Sequence, residues 1–173
     1  MILFLIGYMA SGKTTIGKTL SKKLGYTFID LDDYIVEKQK KTVNDIFKSK
    51  GEIYFRKTES FLLNEIIKNN NKIVLSLGGG TPCYGNNMNL LLKAPNAKTI
   101  YLKTSISIIV KRLKKEKSKR PLISHIETED LLTEFIAKHL FERSQYYNQA
   151  NLTISTDNKT EREIVETIIL NLF

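Results

Sequence analysis

The chain lacks most of what staples a small protein together. It has one cysteine, Cys83, so its 173 residues contain no intrachain disulfide and no cysteine-based zinc cluster. There is no tryptophan, and the two histidines, His125 and His139, have no partner at metal-ligand spacing. Only three prolines occur, at 82, 95 and 121, and no Pro/Gly/Ser-rich stretch marks a linker. No apolar run reaches the roughly 18–20 residues of a membrane span. The apolar start, residues 2–6, has no basic segment before it and runs into glycine and lysine, so it does not read as a signal peptide. These absences leave a single cytoplasmic domain in a reducing compartment, long enough to bury a core unaided.

Arginine is scarce as well. The 27 basic residues outnumber 18 acidic ones, for a net charge of +9. Such a balance invites a nucleic-acid reading. Yet 22 of the 27 are lysines, beside 13 asparagines and 5 alanines, which reads as codon bias spread over a solvated surface. The five arginines, at 56, 112, 120, 143 and 162, are then the places to ask why lysine would not serve.

What is present is an alternation. Short apolar runs at 2–6, 27–29, 73–77, 99–102 and 152–155 read as strands. Between them, residues 14–24, 33–40, 43–48, 52–68, 87–92, 107–115, 129–147 and 161–170 read as helices. Alternation of this kind predicts an α/β domain with a parallel sheet covered on both faces. Ligands of such sheets sit at the carboxyl ends of the strands, so the residues that follow each strand carry the chemistry.

After the first strand stands Gly7-Tyr8-Met9-Ala10-Ser11-Gly12-Lys13-Thr14, which fits G-x-x-x-x-G-K-[ST] at every fixed position. The glycines let successive N–H groups turn inward, and the following helix adds its positive end. Lys13 is placed for the β- and γ-phosphates and the Thr14 hydroxyl for Mg²⁺. The motif predicts a nucleoside triphosphate with Mg²⁺.

The second strand closes on Asp30-Leu31-Asp32. Alternate residues of an extended segment share a face, so both carboxylates are expected toward the cleft, Asp30 by the metal and Asp32 by an acceptor hydroxyl. Helix capping by Asp32 or Asp33 is the competing explanation. Arg56 and Glu59 stand at i, i+3, either as a solvated helix pair or as an arginine held to clamp an acidic substrate. Gly78-Gly79-Gly80 ends the strand at 73–77 and allows close backbone approach to a ligand, and Ser76 on that strand is a candidate for the metal's water shell. Residues 111–120 hold seven basic groups and one acidic group. They read as a solvated helix end, a nucleic-acid patch, or a lid that closes over phosphates, with Arg120 as its transition-state cation. Arg143 is either an ordinary surface arginine or a second cation at the acceptor. Cys83, Tyr146 and Tyr147 read as bystanders or packing residues.

In their order and spacing, the phosphate loop, Asp30-Leu31-Asp32, the Phe55-Arg56 to Glu59 pattern, Gly78-Gly79-Gly80, Arg120-Pro121-Leu122 and Arg143 resemble the shikimate kinases along essentially the whole chain. The resemblance implies a three-layer α/β sandwich of the P-loop nucleoside-monophosphate-kinase type. Its five-stranded parallel sheet has the order 2-3-1-4-5. It implies one domain over residues 1–173, with a substrate-binding region near 31–62 and a lid near 111–124. The implied reaction moves the ATP γ-phosphoryl group to the 3-hydroxyl of shikimate. Lys13, Asp32 and Arg120 would be catalytic. Asp32, Arg56, Arg143 and the backbone of Gly78, Gly79 and Gly80 would bind shikimate, with Glu59 holding Arg56. Ala10, Ser11, Gly12, Lys13, Thr14, Thr15, Arg112 and Arg120 would bind ATP, with Arg112 near the adenine. Thr14 and Asp30 would hold Mg²⁺. The partners would be shikimate and ATP, without nucleic acid or membrane, in a monomer. Ala10 departs from the family's glycine, which is tolerable at negative φ, and Thr81-Pro82-Cys83-Tyr84 departs from its commoner Ala-Val. A related kinase of sugar acids or nucleoside monophosphates, and a basic nucleic-acid-binding P-loop protein, are the alternatives. The latter predicts salt-sensitive binding and gives Arg56, Glu59 and the glycine run no role.

Overall fold

The structure, a computed structural model, describes residues 1–116 and 121–173. The central strand, β1 (Ile2–Ile6), is buried at every residue. Its side chains alternate: Ile2, Phe4 and Ile6 join one apolar core, and Leu3 and Leu5 another on the opposite face. A strand with two buried faces needs helices on both sides.

The chain supplies them by alternating α1 (Lys13–Leu24), β2 (Thr27–Asp30), α2 (Leu31–Gln39), α3 (Val43–Asn69), β3 (Ile73–Ser76), a 3₁₀ turn (Thr81–Cys83), α4 (Asn87–Lys93), β4 (Ala97–Lys103), α5 (Ile106–Glu116), α6 (Pro121–Ser124), α7 (Glu129–Tyr147), β5 (Leu152–Ser155) and α8 (Glu161–Leu172). The sheet order is β2-β3-β1-β4-β5, and every pairing is parallel. Ile16 and Leu20 of α1 pack with Ile164, Val165 and Ile168 of α8 on the Leu3/Leu5 side. Helices α2 to α5 and α7 cover the other face. The three layers and the strand order agree with expectation.

One local reading changes and one holds. Helix α2 starts at Leu31, not Asp33, because Asp30 caps it: its Oδ1 accepts the Asp32 N–H at 3.1 Å. Asp32 therefore sits in the first turn of a helix rather than on extended chain, and the alternation argument for its direction does not apply. The helices expected at 43–48 and 52–68 are both present within α3, and they meet at Gly51, which has non-helical backbone with φ 79° and ψ 172°. Register then does the placing. Asp30 pairs with Ser76, and Leu5 with both Ser76 and Ile100, so the carboxyl ends of β1, β2 and β3 finish side by side.

Candidate active site

The site grows from the turn after β1. Gly7 has φ 145°, and a Cβ there would stand 2.8 Å from the Leu102 carbonyl oxygen, so the position excludes a side chain. Beyond it the loop curls, with the Ser11 N–H donating to the Tyr8 carbonyl at 3.2 Å. Helix α1 then starts at Gly12 without a side-chain cap, which leaves its first N–H groups for a ligand. Lys13 Nζ donates to the Gly7 and Tyr8 carbonyls, each at 2.9 Å, so the ammonium lies along the same loop. The Ser11 hydroxyl is buried with no hydrogen-bond partner among the described residues.

This loop floors a cleft of about 540 Å³ that residues from Ala10 through Thr15 line, together with Asp30, Asp32, Ser76, Gly78 and Gly79. The Thr14 hydroxyl donates to Asp30 Oδ2 at 3.0 Å. Two hard oxygen donors at a phosphate-binding turn suit Mg²⁺, which takes one or two protein oxygens and fills its shell with phosphate and water.

Arg112 of α5 reaches across 102 positions to donate to the Ala10 carbonyl at 2.8 Å. Ala10 itself has φ 60°. The condition under which alanine replaces glycine without strain, a negative φ, is thus not met: alanine occupies left-handed backbone here, a conformation that costs an L residue about 1 kcal/mol. Arg112 and Glu116 face Lys159, Glu161 and Ile164 across the cleft. The last three follow β5, and the strand-end rule that found the phosphate loop would have found them.

On the acceptor side, Asp32 is half-buried beside Gly78; a Cβ on that glycine would lie 3.3 Å from Asp32 Oδ1. Burial, then the neighbouring Asp30 and Glu59 carboxylates, push the Asp32 carboxyl up to about 6, against the pull of Lys13 and Arg56. Glu59 is 1% exposed and fully engaged. It accepts from Arg56 Nη1 at 2.9 Å and from the Thr81 hydroxyl at 2.7 Å. Asn87 Nδ2 in turn donates to the Thr81 carbonyl at 2.9 Å, and the Ser60 hydroxyl to Asn87 Oδ1 at 2.8 Å. Arg56 and Glu59 are therefore no solvated surface pair. Burial opposes the Arg56 charge, but Glu59 outweighs it and holds the guanidinium above its usual range.

The glycine run lies between two arginines. A Cβ on Gly80 would meet Arg56 Nη2 at 2.8 Å, and one on Gly79 would meet Arg143 Nη1 at 3.4 Å. Arg143 comes from α7 and lies over the Tyr8 ring, 5.5 Å from its centroid. The hydroxyl of the buried Tyr8 shares a hydrogen bond with His139 Nδ1 at 3.2 Å, and the two rings meet edge-on, which gives that histidine a packing role. The last residue of α7, Tyr147, donates its hydroxyl to the Gly79 carbonyl at 2.5 Å. Thr81, Asn87 and the Tyr147 hydroxyl were not legible as site residues, since each acts through a partner distant in sequence. Burial pushes the Cys83 thiol up to about 11, which makes it a poor nucleophile, as expected of a bystander. Arg162 pairs with Glu166 on the exposed face of α8, away from the cleft. Arg120 lies outside the described residues, as does the middle of the expected lid.

A model of the shikimate kinase family matches residues 9–173. The shikimate kinase of Flavobacterium psychrophilum is 48% identical over 171 residues, 99% of this chain and 98% of that one. A crystal structure of the Bacteroides thetaiotaomicron shikimate kinase superposes with a TM-score of 0.88 at 36% identity, covering 99% of this chain and 96% of that one. The Acinetobacter baumannii shikimate kinase in complex with shikimate superposes with a TM-score of 0.87 at 31% identity, covering 99% and 92%.

Proposed function

The chain belongs to the shikimate kinase family, ATP- and Mg²⁺-dependent enzymes that phosphorylate the 3-hydroxyl of shikimate, and we propose that Asp32, Arg56 and Arg143 are the groups that receive shikimate here. One observation carries the assignment. Two guanidiniums, from α3 and α7, flank the Gly79-Gly80 backbone, and a carboxyl pushed up to about 6 stands at Gly78. A small molecule with a carboxylate at one end and a hydroxyl at the other matches that pattern. A nucleoside monophosphate would use the arginines but leave Asp32 without a hydroxyl to bind.

In this reading each group has a definite role. Arg56 and Arg143 orient the acceptor through its carboxylate, with the planar fork that matches two oxygens. Asp32 accepts the proton that the acceptor hydroxyl loses as its oxygen bonds to the γ-phosphorus and the bond from that phosphorus to the β,γ-bridging oxygen breaks. Lys13 and the loop N–H groups from Ala10 to Thr15 hold the phosphates, and Arg112 walls the nucleotide side. Mg²⁺, held by Thr14 and Asp30, supplies neutralisation of phosphate charge. Residues 31–62 act as the acceptor-binding region and 111–124 as the lid, with Arg120 its transition-state cation. The whole chain works as one cytoplasmic, monomeric domain whose partners are ATP and shikimate, not nucleic acid. No helix among the described residues is long and apolar enough to cross a membrane.

A coupled assay of ADP release with shikimate, gluconate and nucleoside monophosphates as acceptors tests this reading. Release that depends on shikimate alone is expected. Equal release with gluconate, or none with shikimate, would sink it.

A further inference from the structure

The mechanism uses the Arg56 guanidinium and leaves its outer surroundings without a role. Arg56 Cζ lies 3.9 Å from the centroid of the Tyr84 ring, which is face contact, and 5.3 Å from that of Phe55. The Tyr84 hydroxyl donates to Glu52 Oε1 at 2.5 Å. The same carboxylate oxygen stands 3.6 Å from Arg56 Nε, a buried nitrogen with no hydrogen-bond partner among the described residues. Tyr84, Glu52 and Arg56 thus close a triangle of contacts. Ile53, Lys57 and Ser60 complete the wall of a cavity of about 510 Å³ there.

A guanidinium needs two restraints to present a fork. Its ion pair to Glu59 fixes one nitrogen, but the plane can still turn about that contact. Stacking removes the turn, and it does so through the face of the group, so the in-plane N–H donors stay available to a carboxylate. Tyr84 is itself anchored, since it ends the 3₁₀ turn that follows the glycine run and its carbonyl accepts the Asn87 N–H at 3.2 Å. We infer that Tyr84, steadied by Glu52, is a positioning residue that sets the plane of the Arg56 fork. The inference rests on the reading of Arg56 as a carboxylate clamp. It gives the Thr81-Pro82-Cys83-Tyr84 departure a purpose, as it brings an aromatic ring onto that arginine.

The test is steady-state kinetics of Tyr84→Leu, Tyr84→Phe and Arg56→Lys, with Tyr84→Leu repeated in the Arg56→Lys background. Leucine keeps apolar bulk on a partly exposed loop residue, so folding is preserved, and thermal unfolding checks it. Tyr84→Leu should raise the shikimate KM about fivefold, with kcat and the ATP KM within about twofold of wild type. Tyr84→Phe keeps the ring and should restore most of the loss. In the Arg56→Lys background the leucine change should add almost nothing, since no planar fork remains to be set. A wild-type shikimate KM for Tyr84→Leu, or the same fivefold rise in both backgrounds, would overturn the inference while a raised KM for Arg56→Lys leaves the clamp standing. A wild-type shikimate KM for Arg56→Lys would overturn the clamp, and this inference with it.

Discussion

The Tyr147 hydroxyl donates to the Gly79 carbonyl at 2.5 Å, so the last turn of α7 holds the backbone of the glycine run. Tyr147 is completely buried, and its phenol is pushed well above the usual range by that burial, so it stays a neutral donor throughout the working pH range. Tyr147→Phe leaves the carbonyl without this partner. We expect a stability loss of about 1–2 kcal/mol by thermal unfolding, with a raised shikimate KM and an unchanged ATP KM. A variant as stable as wild type would show that the bond contributes nothing.

The proposed role of Asp32 predicts a pH dependence. Its carboxyl is raised to about 6, so a proton acceptor at this position is ionised above that pH and lost below it. The kcat/KM profile should fall below pH 6 with the slope of a single proton. Asp32→Asn should abolish turnover and leave nucleotide binding, measured by titration calorimetry, nearly intact.

The same shift has an opposite consequence for stability. A group whose folded pKa is raised favours the folded state most at low pH, and that contribution fades as pH rises through about 6. The charged carboxylate is therefore a strained feature at pH 8. Asp32→Asn should be more stable than wild type there, on the order of 2 kcal/mol, and the gain should vanish near pH 4. An Asn variant with no gain at pH 8 would contradict the burial argument.

Gly80 is a different kind of constraint. A Cβ there would press on Arg56 Nη2 at 2.8 Å, the far end of a side chain that can yield. Gly80→Ala should therefore keep most of its stability and lose acceptor affinity, because the guanidinium moves instead of the backbone. Melting temperature and shikimate KM measured together separate the two effects.

Ala10 offers a gain. Its φ of 60° suits glycine, while its carbonyl must still accept from Arg112. Ala10→Gly should relieve about 1 kcal/mol of backbone strain, offset in part by the entropy of the freer unfolded chain. A net rise in melting temperature with unchanged ATP affinity is the expected result of differential scanning fluorimetry.

Much of this was legible in advance where the signal is local. The phosphate loop announces itself in eight consecutive residues, and the strand-helix alternation follows from short apolar runs between amphipathic segments. Arg56 and Glu59 could be paired by helical spacing and suspected as a clamp from the scarcity of arginine, but spacing alone left a solvated surface pair open. Excluding that pair took the burial of Glu59 and its bond to Thr81, which comes from 22 residues away. Asp32 was placed correctly at the cleft for the wrong reason, since its direction comes from the helix that Asp30 caps.

The sequence by itself determined the architecture and the triphosphate site, because periodicity and turn chemistry act between near neighbours. Scarcity of arginine marked five positions at which to ask why lysine would not serve, and the family resemblance gave four of them a place at the ligands. Only the tertiary structure decided which way the arginines face, what raises the Asp32 carboxyl and that Ala10 is left-handed. Those depend on residues that meet across the sheet from distant parts of the chain, such as Tyr147 and Gly79 across 68 positions, and no local pattern encodes such a meeting.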